Sequence, residues 1–348
     1  MADNGTVTLT EADYLRVLIH GSSAFELVHA GLELGMFEEL EQHGGMRLDQ
    51  VAVSLGIEEQ PARILLLGLT SLRLLEKHED HYVNSELARR KLLRSGERFL
   101  GPLIDVQAEI INPAIGDLTR SLTSNTNVGI RSIEGRGSTL YERLNGHPRL
   151  QNLFYRNMRD VTSYSFSRIL DSYDFGSTSH VVSIGGGDGT DVIELAHRYP
   201  DIEITIFDQE SVAPIAEKRV EDAGLENRVH FRSGDLIRDP IPEGCDTILY
   251  VHLFEIWSMR RNVDILRKCH AALPEDGVCL IYNFVSDDEG RGPLSAGLLS
   301  PYFLTLASGE GMVYSAQDME RAAMASGFSR VSRRSDLGFS HTLVVGKK

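Results

Sequence analysis

The spacing of apolar and polar positions changes once along the chain, near residue 180. Before that point apolar residues recur three and four positions apart, which is the period of an amphipathic helix. After it, short runs rich in β-branched residues alternate with helical stretches. The first pattern predicts a mostly helical region. The second predicts an α/β region whose sheet is mainly parallel and is closed by an antiparallel pair.

The N-terminal stretch 12–42 carries a long helical stripe of apolar residues. Its members are Phe25, Val28, Leu32, Met36 and Leu40. This stripe would either fold back on its own domain or pack on a second copy of the chain, and periodicity alone favours neither arrangement.

Residues 47–93 contain a short amphipathic helix ending at Gly56, a second helix with Pro61 in its first turn, and two strands around an acidic turn. This order predicts a winged helix, which would serve either to bind DNA or as a packing and dimerisation module. The formal net charge of −15 and the absence of a basic recognition face favour dimerisation over a nucleic-acid partner.

The segment 95–175 is predicted to be mostly helical, with a Gly/Ser/Asn-rich connection at 125–140. We expect the domain boundary in the long helix after that connection, near residue 165. The predicted domains are a winged-helix dimerisation domain at 1–100, a helical linker at 101–165 and a Rossmann-like catalytic domain at 166–348.

The composition is that of a globular protein, with 348 residues of which 42% are hydrophobic and 24% charged. No apolar run reaches the ~20 residues that span a bilayer. The first residues are polar and acidic, unlike a signal peptide. The three cysteines lack metal-ligand spacing, which predicts reduced thiols. These observations predict a cytoplasmic protein without a membrane partner.

The stretch "VVSIGGGDGT" (181–190) places three glycines, Gly185, Gly186 and Gly187, directly after a predicted strand. Glycines allow a sharp turn and let a ligand touch the backbone, although a tight turn without a ligand has the same pattern. The next two predicted strands end in Asp208 and in Gly234-Asp235. A carboxylate at Asp208 suits a ribose diol, and one at Asp235 suits an adenine amino group, so the three strand tips together predict a nucleoside site.

With these residues in place, the chain resembles the S-adenosylmethionine-dependent O-methyltransferases of small molecules, the family of caffeate-type and bacterial antibiotic-tailoring enzymes. The resemblance covers nearly the whole chain. Its motifs are the winged helix, "FYRNM", "IGGGDG", "IFD", "SGD", Trp257, "ILRKCHAALPEDG" and "GEGMVYS…ASGF". It implies a class I methyltransferase Rossmann-like sheet, an N-terminal dimerisation domain, a homodimer, a secondary-metabolite substrate and S-adenosylmethionine as cofactor.

The resemblance also implies which residues bind the cofactor. The implied set is Gly185, Gly186, Gly187, Asp208, Gly234, Asp235, Leu236 and Met158. Phe154 would lie with Met158 near the sulfonium or the substrate.

Four positions depart from the family pattern. Alignment on Trp257 places Glu255 where the family has its histidine base, and Asn283 stands at the end of the fifth strand, where the family has the carboxylate that orients that base. Val313 replaces a third acidic residue, and Ser183 replaces the aspartate that usually precedes the glycines. The general base and its surroundings are therefore expected to differ from those of the family.

Several interpretations of these departures remain open. In the first, Glu255 acts as base or cation stabiliser in a C- or N-methylation, or in an atypical O-methylation, with Asn283 orienting it. In the second, methyl transfer is lost and the bound cofactor assists a rearrangement, pericyclic step or hydroxylation. A third is ordinary O-methylation by proximity alone. A ligand-sensing winged-helix regulator is a further alternative.

His252 is predicted to line the pocket, to pack in the core, or, with Glu255 three residues on, to bind a metal; the lone pair gives little support to a metal site. We predict no metal and take Glu255, His252 and Asn283 as the catalytic candidates. The predicted substrate-side residues are Phe154, Tyr250, Phe254, Trp257, Tyr302, Phe303 and Met312. An ordinary core role is equally open for Tyr250, Phe254, Tyr302, Phe303 and Met312.

Overall fold

A computed structural model describes residues 10–338 and 340–348 of the chain. The chain forms two compact units, residues 1–108 and residues 109–348. Residues 1–9, with which the predicted first domain begins, lie outside the described residues.

The first unit contains seven helices and a three-stranded sheet in its described part. Its elements are α1 (Glu11–Ile19), α2 (Gly21–Glu33), α3 (Met36–Gln42), β1 (Met46–Arg47), α4 (Leu48–Leu55), α5 (Glu59–Ser71), β2 (Leu75–His78), β3 (His81–Asn84), α6 (Glu86–Lys91) and α7 (Gly101–Val106). The sheet has the order β1-β3-β2 and is antiparallel. The helix pair α4–α5 and the hairpin β2–β3 follow one another in the order predicted for a winged helix.

The helix boundaries predicted around Gly56 and Pro61 in the first unit are confirmed. Gly56 ends α4 with a left-handed φ of 65°, which glycine adopts without strain. Pro61 lies in the first turn of α5. The core includes Met36, Leu40 and Leu69, each at most 1% exposed. By contrast, no residue of α1 is buried.

The second unit is an α/β domain. Its helices are α8 (Asn112–Ile115), α9 (Leu118–Ser124), α10 (Leu140–Leu144), α11 (Pro148–Ser172), α12 (Thr190–Arg198), α13 (Ala213–Asp222), α14 (Met259–Ala272), α15 (Leu294–Tyr302) and α16 (Ala316–Ala325). Its strands are β4 (His180–Ile184), β5 (Glu203–Asp208), β6 (Val229–Ser233), β7 (Thr247–Val251), β8 (Val278–Phe284), β9 (Arg330–Arg334) and β10 (His341–Lys347).

The seven strands form one sheet in the order β6-β5-β4-β7-β8-β10-β9. Strands β4 to β8 are parallel, and β10 runs antiparallel to both β8 and β9. In the register, Ile184 lies opposite Phe207 on one side and Tyr250 on the other. The loops after β4, β5 and β7 therefore meet at one edge of the sheet, where ligands bind in parallel α/β folds.

The structure divides the chain at a different place from the predicted boundary near residue 165. Phe166, Ile169 and Leu170 of α11 are buried in the core that also contains the strands. The Tyr282 hydroxyl of β8 donates to the Ser165 carbonyl at 3.0 Å. Because this burial makes α11 part of the sheet domain, the segment predicted as a linker belongs to the second unit from residue 109 onward.

Two helices, α6 and α15, were not predicted. Helix α15 continues into a π-helical turn, Phe303–Ala307, and contains Pro301 in its interior. Its apolar residues do not recur on one face, so the pattern gave no helical signal. Across residues 10–338 and 340–348, every helix is too short or too polar to traverse a bilayer.

Candidate active site

The loop after β4 exposes backbone rather than side chains. Gly185 and Gly187 have left-handed φ values of 62° and 56°, and Gly189, at 77°, caps the start of α12. A β-carbon at Gly185 would lie 3.0 Å from the Leu253 side chain, and one at Gly186 would lie 2.9 Å from the Ser183 hydroxyl. Larger residues would strain the turn and fill the space above it, so the loop fits a ligand that rests on main chain.

Asp208, at the end of β5, is held in a fixed orientation. One carboxylate oxygen accepts from the Gly187 N–H at 2.8 Å and the other from the Gln209 N–H at 2.6 Å. Burial raises the pKa of Asp208, while these two hydrogen bonds act in the opposite direction. The carboxylate thus ties the glycine loop to β5 and retains lone pairs for a ribose diol.

The loop after β6 contains Asp235 and Leu236. Asp235 accepts from the Ile237 N–H at 2.8 Å, and the Lys268 ammonium of α14 donates to the Leu236 carbonyl at 2.7 Å. Gly234 packs directly against the Phe207 ring and leaves no room for a side chain. This places Asp235 and Leu236 at the same sheet edge as Asp208, as a nucleobase site requires.

The Ser183 departure has a local explanation that the sequence analysis missed. The Ser183 hydroxyl donates to the Asp191 carboxylate at 2.9 Å. Asp191 lies in the first turn of α12 and is 4% exposed. Burial raises its pKa to about 6, and the Ser183 hydrogen bond opposes that rise. A carboxylate is therefore present beneath the glycine loop, but it comes from the helix and not from the strand.

A second missed cluster surrounds Asp188 of the same loop. Its carboxylate accepts from Arg159 of α11 at 2.9 Å, from Arg219 of α13, and from the Thr190 hydroxyl at 2.6 Å. These contacts fix the loop between two helices. An acidic residue within a glycine turn, followed by Thr190-Asp191 at a helix start, is the sequence signal that would have indicated both clusters.

The start of α11 lies against the glycine loop. The Tyr155 ring is 3.6 Å from the position that a β-carbon at Gly187 would occupy. Phe154 is buried and contacts the Tyr155 and Tyr141 rings edge-on, with centroids 5.9 and 5.8 Å away. Met158 is partly buried one turn further along α11. The structure therefore brings this helix to the predicted cofactor site.

Glu255 follows β7 in a short 3₁₀ turn, Phe254–Ile256. Its side chain is buried at 4% exposure, and within the described residues its Oε2 atom has no hydrogen-bond partner. Burial raises the pKa of this carboxyl from 4.5 to about 8. The Gly311 backbone packs on the Glu255 carbonyl so closely that no β-carbon fits there. The turn is thus fixed, while one oxygen of the Glu255 carboxyl has no hydrogen-bond partner among the described residues.

Two tyrosines, Tyr141 and Tyr302, interact electrostatically with Glu255. The Tyr141 and Tyr302 oxygens are 3.4 Å apart. Burial, and to a smaller extent the negative charge of Glu255, raises the pKa of both tyrosines. Tyr302 was a predicted substrate-side residue, whereas Tyr141 was missed because it lies in the short helix α10, distant in sequence from every recognised motif.

Asn283, at the end of β8, holds the backbone that leads to Glu255. Its Oδ1 atom accepts from the Leu253 and Phe254 N–H groups, both at 3.3 Å. Its Nδ2 atom is buried without a partner in the described structure. Asn283 therefore positions the turn and leaves an amide donor unused.

His252 has a left-handed φ of 50°, is 8% exposed, and has no hydrogen-bond partner at either ring nitrogen among the described residues. Its ring lies 5.0 to 5.7 Å from those of Tyr282, Phe284 and His341. Burial lowers its pKa well below 6.5, so the ring is neutral. Nowhere in residues 10–338 and 340–348 do three or more His, Cys, Asp or Glu side chains cluster suitably for a metal ion.

The remaining predicted substrate-side residues divide into two groups. Tyr250 is fully buried, and its hydroxyl donates to Asn262 at 2.6 Å. This hydroxyl is therefore not free to bind a substrate. Asn262 in turn donates to the Phe254 and Trp257 carbonyls, so Tyr250 and Asn262 together hold the 3₁₀ turn that contains Glu255. The Trp257 indole N–H is buried without a partner in the described part of the chain.

Phe254 and Phe303 are buried at 1% and 4% exposure, whereas Met312 is 46% exposed. Burial alone is compatible with both a lining and a core role for the two phenylalanines.

Comparison with known families matches both units. The model of the O-methyltransferase domain matches residues 119–329, and that of the O-methyltransferase dimerisation domain matches residues 17–94. The chain is 34% identical over 312 residues to the L-tyrosine C(3)-methyltransferase of Streptomyces lavendulae, an alignment that covers 90% of this chain and 85% of that protein. It is 28% identical over 271 residues to a 3-hydroxy-5-methyl-1-naphthoate 3-O-methyltransferase of Streptomyces sahachiroi, covering 78% and 76%.

Solved structures give the same result. The apo form of the S-adenosylmethionine-dependent methyltransferase SibL superposes with a TM-score of 0.81 at 33% identity, covering 97% of this chain and 99% of that chain. Human N-acetylserotonin methyltransferase in complex with SAM superposes with a TM-score of 0.83 at 21% identity, covering 99% of both chains, and supports the fold.

Proposed function

Since the chain belongs to the O-methyltransferase family, we propose that it methylates a ring carbon beside the hydroxyl of a small phenolic secondary-metabolite precursor. Its cofactor is S-adenosylmethionine, which supplies the electrophilic methyl group. The proposal is finer than the family alone, because members of this family methylate oxygen, nitrogen or carbon according to the names of the relatives.

The observation that carries the proposal is the buried carboxyl of Glu255, whose Oε2 atom has no hydrogen-bond partner in the described structure, at the position that the sequence aligns with the family base. A buried neutral acid whose pKa is about 8 changes its protonation state near physiological pH, which suits proton transfer in both directions. The similarity to an L-tyrosine C(3)-methyltransferase over 90% of the chain supports a tyrosine-like phenol as the substrate class.

Carbon methylation of a phenol needs two proton transfers. Removal of the hydroxyl proton places negative charge on the ring carbon beside it, and that carbon forms the bond to the methyl group. The ring is then a dienone, and loss of the ring proton restores the aromatic phenol. Ordinary O-methylation needs only the first transfer. A carboxyl group with one free oxygen and a pKa near neutrality serves both.

The cofactor site fits the chemistry of S-adenosylmethionine. The Gly185–Gly187 backbone would hold the methionine part, Asp208 the ribose and Asp235 with Leu236 the adenine. Asn283 would keep the Glu255 turn in place. The indole N–H of Trp257 offers one further unused donor close in sequence to the Glu255 turn.

We also propose that the functional form is a homodimer assembled through the N-terminal unit. The match of residues 17–94 to a dimerisation domain supports this. So does α1, whose apolar residues Leu15, Leu18 and Ile19 are 55% to 75% exposed. A partner would remove these side chains from water.

The test uses ring-deuterated L-tyrosine and related phenols with S-adenosylmethionine and the full-length protein, followed by mass spectrometry. Carbon methylation adds a methyl group and removes one ring deuterium. A product that gains the methyl group and keeps every ring deuterium would instead establish O- or N-methylation. A product without any added methyl group, formed only with the cofactor present, would establish a non-methylating reaction.

A further inference from the structure

The carboxylate of Asp188, directly after the three glycines, is shared by two arginines. Its Oδ2 atom accepts from Arg159 Nε at 2.9 Å and from Arg219 Nη1. Its Oδ1 atom accepts from the Thr190 N–H at 3.2 Å and from the Thr190 hydroxyl at 2.6 Å. Each oxygen therefore has a donor for both of its lone pairs. The Asp188 carboxylate is saturated, and its single negative charge faces two guanidinium groups.

Arg159 keeps most of its hydrogen-bonding capacity in this arrangement. A guanidinium group has five N–H donors in a planar fork, and the contact of Arg159 with Asp188 uses the Nε atom alone. The Arg159 side chain is 41% exposed, whereas that of Asp188 is 6% exposed. A ligand can therefore reach the two terminal nitrogens of Arg159 while Asp188 holds the guanidinium in place.

The face of α11 that carries Arg159 covers the glycine loop. Tyr155 lies four residues earlier, and residues four apart share one face of a helix. The Tyr155 ring is 3.6 Å from the position that a β-carbon at Gly187 would occupy. Helix α11 thus contacts the loop at two successive residues, through Tyr155 at Gly187 and through Arg159 at Asp188.

The two ends of the loop differ in what lies beside them. At Gly185, a β-carbon would lie 3.0 Å from the side chain of Leu253, which belongs to the segment that leads to Glu255. The opposite end carries Asp188 and its arginines. Our inference rests on the cofactor placement in the proposed function, with the methionine part on the glycine backbone and the reactive methyl group toward Glu255. The amino-acid end of the cofactor, which carries a carboxylate, then points toward Asp188.

We propose that Arg159 binds the methionine carboxylate of S-adenosylmethionine through its two terminal nitrogens. A planar fork of parallel N–H groups matches the two oxygens of a carboxylate. Asp188 orients this fork by its contact with Nε, and the bound carboxylate balances the positive charge that Asp188 leaves over. Arg159 is thus a cofactor-binding residue that selects for the carboxylate, and Asp188 is a positioning residue that acts through it.

The test measures binding by calorimetry with two ligands, S-adenosylmethionine and decarboxylated S-adenosylmethionine, which keeps the sulfonium and the amine. Wild type should prefer the complete cofactor by about 10- to 100-fold, the range expected for hydrogen bonds between charged groups. Arg159→Gln should lose most of this preference, because its affinity for S-adenosylmethionine falls by about that factor while its affinity for the decarboxylated ligand changes less than about 2-fold. Arg159→Lys should lie between the two, since an ammonium group keeps the charge without the fork.

The matched control is Arg198→Gln. Arg198 of α12 donates to Asp171 of α11 at 2.8 Å, so this variant also removes an arginine–aspartate contact made by α11, but near the other end of that helix. It should bind both ligands as wild type does.

The ratio of the two affinities separates direct binding from a structural role. If Arg159 only holds the loop, Arg159→Gln weakens both ligands equally and the ratio stays at the wild-type value, which would overturn the proposal. Equal affinities in wild type would overturn it as well. Neither result bears on carbon methylation, because binding does not depend on which substrate atom is methylated. A product that keeps every ring deuterium would refute carbon methylation and leave the assignment of Arg159 standing.

Discussion

The sheet edge has two sides, which we propose bind the cofactor and the substrate. Buried polar groups are hydrogen-bonded on the first side and partly unpaired on the second. Around the glycine loop, Asp188, Asp191 and Asp208 all have defined hydrogen-bond donors. Across the tips of β7 and β8, Glu255 Oε2 and Asn283 Nδ2 are buried without partners among the described residues. The three aspartates of the first side are hydrogen-bonded before any ligand arrives, whereas Glu255 Oε2 and Asn283 Nδ2 on the second side remain free to bind one.

The difference has an energetic meaning. A buried polar group without a partner costs about 1–3 kcal/mol, and native proteins retain few of them. The Trp257 N–H and both His252 ring nitrogens add to this cost. Groups of this kind cluster where a ligand completes the hydrogen bonding. This contrast supports our proposal that the cofactor binds to a prearranged surface and that the substrate is recognised by the unsatisfied groups.

The largest expected effect belongs to Glu255→Gln. Gln has nearly the same shape but cannot accept a proton, so turnover should fall by about 10³-fold or more, in line with the loss of a general base and of its second proton transfer. Affinity for S-adenosylmethionine, measured by calorimetry, should change less than about 2-fold.

The matched control is Glu194→Gln on α12, which removes another carboxyl whose pKa is raised by burial. It should leave turnover unchanged. Normal turnover in Glu255→Gln would remove Glu255 from the mechanism.

Asp208→Asn should have the converse effect. The amide retains the shape but loses the charge that accepts from the Gly187 and Gln209 N–H groups, so cofactor affinity should weaken by about 10- to 100-fold. The single-turnover rate at saturating cofactor should fall far less. An unchanged cofactor affinity would show that the glycine loop binds the cofactor without the Asp208 carboxylate.

Restoring the family residue should be harmful in this chain. Ser183→Asp places a second carboxylate against Asp191, where Ser183 now donates at 2.9 Å. We expect a loss of stability of about 1–3 kcal/mol and weaker cofactor binding. The double variant Ser183→Asp/Asp191→Asn should recover most of both, as read by thermal unfolding and calorimetry. A tolerated single variant would show that the two positions are independent.

Glu255 should also make the stability of the protein depend on pH. Burial raises the Glu255 pKa from 4.5 to about 8, so the folded state holds a proton that the unfolded state releases, and this contribution is lost as pH rises through about 8. Glu255→Gln should therefore gain stability over wild type between about pH 5 and pH 8.5, by a few kcal/mol. At about 2 °C per kcal/mol, the Tm difference should widen by several degrees. A constant difference would contradict the raised pKa.

Local sequence patterns were sufficient to predict most of the fold. The helix-period stripe, Gly56 and Pro61 predicted the first unit, and β-branched runs predicted every strand of the seven-stranded sheet. The domain boundary was harder, because a long amphipathic helix such as α11 has the same periodicity whether it links two domains or packs on a sheet. Helix α15 gave no amphipathic signal, and Pro301 lies within it.

The site was predicted unevenly for a related reason. Gly185 and Asp235 follow strands and Asp208 ends one, and strand ends are visible in the sequence. Tyr141 and Asp191 act through contacts made in three dimensions. Tyr250 was a plausible pocket residue in sequence, but strand alternation and Asn262 place its hydroxyl in the core. Residue type and spacing do not reveal which side of a strand tip a side chain occupies.

The most direct test is a titration of the Glu255 carboxyl, by isotope-edited infrared spectroscopy of the cofactor-free protein with Glu255→Gln as the blank. A carboxyl group that is kept buried, with one oxygen free for proton transfer, should titrate with a midpoint at about 8. A midpoint near the ordinary value of about 4.5 would show that Glu255 is solvated or paired, and the contrast between the two sides of the site would no longer hold.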